Sequence, residues 1–283
     1  MPFLSGRTLA DWRVEALGSV TNQTYRVGAG EEFYVIRISG PTTRYLDRAV
    51  ETHNAKIAAE LGLTPPILFL DDTLLVTRFV TGARPLTAVD LDDPALLAEV
   101  GALLSRLQRS PVPFAGERHP FGEIDRYLVQ HPHPRATALR QAAKPVEAAL
   151  ARSPLPLVPA HVDASAANFL LGADGQLLLV DWEFSSMADA AWDIASILMQ
   201  RSADDGEPVR RFIADILGGD AGERMMARVA LFKAALSLVA GSWCAMEAAA
   251  RQDGALMQTA DRYLDRCEAF LNHPRLKHCL KAV

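Results

Sequence analysis

PAHVDASAANFLLGADGQLLLVDWEFSSMADAAWDIAS, residues 159–196, gathers a histidine, an asparagine and six acids around two short apolar runs. His161, Asp163 and Asn168 precede or open the first run, and Asp181, Glu183, Asp189 and Asp193 follow the second. "FLL" and "QLLLV" around the turn "GADG" predict strand, turn, strand, which folds Asp181 back beside Asn168. Acids brought this close repel one another unless a cation lies among them. The spacing points to a phosphoryl-transfer site. In such a site Asp163 accepts or orients the proton of an attacking hydroxyl, while Asn168 and Asp181 hold Mg2+ on nucleotide phosphates. Oxygen donors with retained waters suit that ion.

Upstream, "RVEAL" (13–17), "TYRV" (24–27) and "EFYVIRIS" (32–39) are rich in strand formers and separated by turn residues. "TTRYLDRAVETHNAKIAAELG" (42–62) has helical apolar spacing, with Thr near its start and Gly62 at its end. "PILFL" (66–70) and "TLLVTRF" (73–79) predict a hairpin. Three strands, a helix and two strands make a compact α+β unit. Beyond residue 88 the chain turns helical at 93–110 and 134–152, with Pro145 breaking or kinking the latter, and is nearly all helix from 188 onward. The expected architecture is bilobal: a small strand-rich lobe over 1–80 and a larger helical lobe over 81–283, with a hinge near 78–88.

The pattern H-x-D-x-x-x-x-N followed by "DWEFSSMADAAWDI" resembles the choline/ethanolamine kinase branch of the aminoglycoside-phosphotransferase-like, protein-kinase-like fold, bacterial choline kinases above all. The likeness runs from about residue 15 to 270 and takes in "LGSVTNQTYRV", "YVIRISG" and "DRAVETHNAKIAAELG". It implies that the turn with Gly18, Thr21 and Asn22 covers the phosphates of ATP, whose adenine lies against the 77–81 segment. It also implies that Arg37 contacts the α- and β-phosphates and that Glu51 orients Arg37. Asp163 becomes the catalytic aspartate and Asn168 with Asp181 the Mg2+ ligands. His161 and Asp193 are expected to support the loop, Asp189 to line the acceptor pocket, and Glu183 to reach Mg2+ or a cationic substrate.

The acceptor implied is a small hydroxylated amine. A quaternary ammonium ion binds best among aromatic faces. In the late helix Trp243 matches the second tryptophan of the family's W-x-x-W pair and Ala240 stands at the first, with Tyr263 and Trp192 as further candidate walls. An aminoglycoside, thiamine or other small-molecule kinase of the same fold uses similar acids. A nucleotide-binding regulator without turnover on the same fold is a further alternative, against which the intact set of Asp163, Asn168, Asp181 and Arg37 argues.

Composition narrows the field. Lys plus Arg is 29 against 34 Asp plus Glu, a net charge of −5, which argues against a nucleic-acid partner. Three cysteines without a CxxC pair suggest neither a disulfide framework nor zinc. The start "MPFLSGRTLADWR" lacks a leader pattern, and "AALSLVAGSWCAM" from 234 falls short of the ~18–20 apolar residues of a membrane span. A cytoplasmic protein with no membrane partner is the expectation.

Overall fold

A computed structural model describes residues 12–18, 22–40, 46–203, 206–219 and 221–283. Thr21 lies outside them. The N-terminal strands β1 (Arg13–Leu17), β2 (Gln23–Ala29), β3 (Glu32–Ile38), β4 (Ile67–Leu70) and β5 (Leu74–Arg78) form one antiparallel sheet in the order β1-β2-β3-β5-β4. Ala29 pairs with Glu32, so β2 and β3 are joined by a two-residue turn in which Gly30 takes φ +66. That left-handed conformation is natural to glycine. Arg26 lies over the rings of Phe33 and Phe79, at 4.3 and 4.7 Å from their centres, covering one side of the sheet.

Helix α1 (Arg48–Glu60) leaves the sheet between β3 and β4. The sequence placed its start near residue 42; the described helix begins at Arg48. Asp47 takes an extended backbone there, and its carboxylate accepts from the N–H groups of Ala49 and Val50 at 3.0 and 3.2 Å. An N-cap of this kind outcompetes an upstream threonine as a start signal. The helix stops at Gly62, φ +65, as expected.

The larger lobe opens with the two-residue strand β6 (Arg84–Pro85) and helices α2 (Pro94–Gln108), α3 (Pro120–Gln130), α4 (Pro134–Ala142) and α5 (Lys144–Arg152). Pro145 does separate α4 from α5, standing in the first turn of the latter where its missing N–H costs nothing. Then come β7 (Leu157–Ala160), β8 (Phe169–Leu171), β9 (Leu177–Leu179), β10 (Ser186–Asp189) and helices α6 (Ala191–Leu198), α7 (Glu207–Leu217), α8 (Glu223–Arg251), α9 (Gly254–Leu271) and α10 (Leu276–Ala282). The fold is thus a small antiparallel-sheet lobe on a larger, mainly helical one, the protein-kinase-like arrangement.

Two short pairings position the loops between them. β7 and β10 run antiparallel with Ala160 opposite Ser186, and β8 and β9 with Phe169 opposite Leu179. Their ends bring residues 161–168 and 180–185 together.

The core lies mainly in this lobe, where Trp192, Phe169, Phe212 and Phe232 are almost fully buried. Helix α8 runs through it. Contrary to the expectation from "AALSLVAGSWCAM", this helix of 29 residues is long and apolar enough to cross a membrane. Its most apolar window is 78% buried inside the protein, as suits a core helix.

Candidate active site

His161 is fully buried at the end of β7, edge-on to Trp182 with ring centres 4.8 Å apart. Its Nε2 lies 3.0 Å from the Val180 carbonyl, which only accepts, so the proton sits on Nε2. Burial pushes its pKa down to about 4, and the imidazole is neutral. Asp193 of α6 accepts the backbone N–H groups of His161 and Val162 at 2.7 and 2.8 Å. Val162 has φ +70, a strained value for a branched residue, and these bonds hold the backbone there. Both side chains act on the loop and not on its open face.

Asp163 follows, opening on the cleft while protein packs around its carboxyl on the other sides. Asn168 Nδ2 donates to the Asp163 carbonyl at 2.8 Å and to its Oδ2 at 2.9 Å. Burial first, and then the negative charge of Asp181, push the Asp163 carboxyl up to about 7, against the Asn168 bond. Val180 N–H donates to the Asn168 carbonyl at 2.9 Å, which sets Asp181 next to Asn168 as the strand–turn–strand reading required. Asp181 itself is left-handed, φ 70.

Across the cleft, Arg37 of β3 is 8% exposed. One of its terminal nitrogens bonds Glu51 of α1; the other donates to Asp181 Oδ1 at 2.8 Å. The Arg37–Glu51 pair expected from the sequence is therefore present and reaches directly to Asp181. Asn22, also buried, donates to Glu183 Oε2 at 2.7 Å. Gly18 follows β1, and among the described residues no atom lies within 4 Å of where its side chain would stand.

Beside Asp163 lies a cavity of about 230 Å³. Tyr127, Phe184, Trp192, Trp243 and Tyr263 supply aromatic walls, and Asp163 stands at its edge. Trp192 donates from Nε1 to the Val162 carbonyl at 2.8 Å, so its ring is pinned under the loop. Glu123 adds a carboxylate, shared by Arg118 at 2.6 Å and Arg126 at 3.1 Å, and the Arg118 guanidinium lies 5.4 Å from the Phe184 ring centre.

Two expectations need correcting. Asp189 does not line the cavity: its oxygens are held by Arg228 of α8, whose Nε lies 3.1 and 2.9 Å away, and Oδ1 also accepts the Ala191 N–H at 2.9 Å. It neutralises a buried arginine and takes up the first N–H of α6. Glu183, expected to reach Mg2+ or a cationic substrate, faces Asn22 and Arg48 and does not line the aromatic cavity, so the substrate alternative is the one corrected.

Sequence reasoning missed Tyr127, Phe184, Arg118, Glu123 and Arg48. Pro120 at a helix start, with Phe121, Ile124 and Tyr127 spaced three apart, was the available signal for α3. Arg48 was visible only as one charge inside "DRAVE".

The donors also bear on a metal. No cluster of three or more His, Cys, Asp or Glu suited to a metal forms among the described residues. Asn168 spends its nitrogen on Asp163, leaving its side-chain oxygen for another partner beside Asp181. Two oxygen donors and an open cleft fit Mg2+, which keeps waters and takes one or two carboxylates plus substrate phosphates.

The profile of the phosphotransferase enzyme family matches residues 13–232. A curated relative, protein LicA of Haemophilus influenzae, is 27% identical over 196 residues, 65% of this chain and 56% of its own. The chain thus spans little more than half of that relative's length. Among solved structures, a choline/ethanolamine kinase family protein from Mesorhizobium loti has a TM-score of 0.83 at 28% identity, over 100% of this chain and 95% of that one. The choline kinase LicA from Streptococcus pneumoniae has a TM-score of 0.79 at 23% identity, over 91% and 94%.

Proposed function

The chain belongs to the phosphotransferase enzyme family, and from that premise we propose that it transfers the γ-phosphoryl group of ATP to the hydroxyl of an amino alcohol such as choline or ethanolamine. The observation that carries the acceptor class is the cavity beside Asp163. It is small, walled by five aromatic rings, and its one further carboxylate, Glu123, is already shared by two arginines. Aromatic faces attract a cationic head without demanding an unpaired acid. Polyhydroxylated amines need more room than about 230 Å³, since pockets for larger ligands run to ~300–1,000 Å³.

In this reading Asp163 receives the acceptor hydroxyl and takes up or orients its proton. Asn168 holds the Asp163 carboxyl in place. Asn168 and Asp181 would bind Mg2+, which when bound neutralises charge on the phosphates. Arg37, aimed by Glu51, contacts phosphate oxygens, and Gly18, Thr21 and Asn22 are assigned to the same phosphates. We place the lobe boundary at 80/81, the adenine against 77–81, and the protein in the cytoplasm, acting on a small hydroxylated amine and on neither nucleic acid nor membrane.

The test is Mg2+-dependent ADP release with choline, ethanolamine, thiamine and an aminoglycoside as acceptors. Stimulation by choline or ethanolamine supports the proposal. Stimulation by the aminoglycoside alone contradicts the acceptor class, and silence with tight Mg·ATP binding contradicts turnover.

A further inference from the structure

Two guanidinium groups share three carboxylates where the small lobe meets the segment after β9. Arg37 bonds Glu51 and Asp181. Arg48, the first residue of α1 and three before Glu51, reaches Glu51 at 2.5 Å, Glu183 at 3.3 Å and the side-chain oxygen of Asn22 at 3.1 Å. Asn22 donates in turn to Glu183 at 2.7 Å, closing a ring that ties the residue after the glycine turn to both lobes. Glu51 and Glu183 are each 3% exposed. Buried carboxylates are tolerated only when paired.

Charge then decides what Arg48 does. Among the described residues the cluster holds two positive and three negative groups. With Asp181 given over to Mg2+, the remaining two arginines and two glutamates cancel. Remove Arg48, and of the two described arginines Arg37 is left facing Glu51 and Glu183, which makes the group one charge more negative where a triphosphate must enter. Lysine is a poor substitute, because one ammonium on a flexible stem does not present a planar fork to Glu51, Glu183 and Asn22 together.

We propose that Arg48 is a positioning residue of the nucleotide site: it is the counter-charge that lets Glu183 stand beside the phosphates and the tie that holds Asn22 over them. This rests on the ATP-dependent kinase reading above.

The experiment is calorimetric titration with Mg·ATP, with KM for each substrate measured alongside, on wild type, Arg48→Met, Glu183→Gln and the double variant. Nucleotide binding by the wild type keeps the kinase reading; its absence removes that reading and this proposal together. Given wild-type binding, Arg48→Met weakens Mg·ATP about tenfold or more while the acceptor KM stays within about twofold. In the double variant, loss of the acid restores charge balance and recovers most of the affinity. A purely structural arginine gives the opposite result, with the two defects adding. Binding by Arg48→Met within about twofold of wild type, or a double variant weaker than Arg48→Met, overturns the proposal. If Arg48→Met does not fold, Glu183→Gln alone decides: it should tighten Mg·ATP about threefold or more, and unchanged or weaker binding overturns the assignment.

Discussion

Asn54 of α1 donates to the Ser185 carbonyl at 2.9 Å, a bond from the small-lobe helix into the segment behind Asp181, with both residues shielded from solvent. The same side chain donates to the Ser185 hydroxyl at 3.2 Å and accepts the Ala115 N–H at 2.8 Å. Helix α1 is therefore fastened to the larger lobe. Glu51 lies one turn earlier on the same face, so its distance from Asp181 is held as well.

Asn54→Leu strands buried backbone groups of Ala115 and Ser185. The expected loss is about 2–4 kcal/mol in urea unfolding, together with a higher KM for ATP than for the acceptor. A variant within about 0.5 kcal/mol of wild type contradicts this account of α1.

Asp189→Asn tests the correction to the acceptor pocket. Arg228 is 4% exposed, and its guanidinium has Asp189 and the Ser153 carbonyl as partners. Halving that compensation should cost about 3–5 kcal/mol in chemical denaturation. The acceptor KM of the folded enzyme should stay put. A raised acceptor KM at unchanged stability would return Asp189 to the pocket.

His161 gives a signed pH effect. Its pKa is about 4 when folded against 6.5 when free, so between those values the unfolded chain binds more protons and stability rises with pH. The full span is worth about 3 kcal/mol. Asp193, pushed up from 3.8 to about 6 by burial, works the other way over most of that window, in wild type and variant alike. The stability of wild type relative to His161→Asn should therefore grow from pH 4.5 to about 6.5 and level off above. A difference that stays flat across that range, followed by thermal unfolding, rules out a buried neutral histidine.

Trp243→Ala removes one wall of the acceptor cavity. For a cationic acceptor the expected loss is about tenfold in acceptor KM with ATP KM unchanged, matching the ~1–2 kcal/mol of a desolvated cation–π contact. An equal effect on a neutral alcohol of similar size would show that the ring only fills space.

Much of this site was legible because its parts lie close in sequence. The spacing from Asp163 to Asn168 and the turn before Asp181 are local, and hydrogen bonds within one hairpin bring them together. Arg37 and Glu51 were readable from strand and helix order. The aromatic cavity was legible only in part: Trp243, Tyr263 and Trp192 were expected as walls and do line it, whereas Tyr127 and Phe184 come from separate elements whose packing no local period encodes. Asp189 shows the converse limit. A motif carries over a residue's position but not its partner, and Arg228 thirty-nine residues later takes the carboxylate. For the same reason the sequence left Glu183 open between Mg2+ and a cationic substrate, and its partners Asn22 and Arg48 show that it does not line the acceptor cavity.

The most direct measurement is phosphorus NMR of the reaction mixture with Mg·ATP and choline or ethanolamine, on wild type and Asp163→Asn, with the nucleotide affinity of both determined in parallel. Wild type should produce the phosphomonoester of the amino alcohol. Asp163→Asn should bind Mg·ATP nearly as well and form the product at least about a thousandfold more slowly. Product formation by Asp163→Asn at the wild-type rate, or none from wild type despite bound Mg·ATP, would contradict the account.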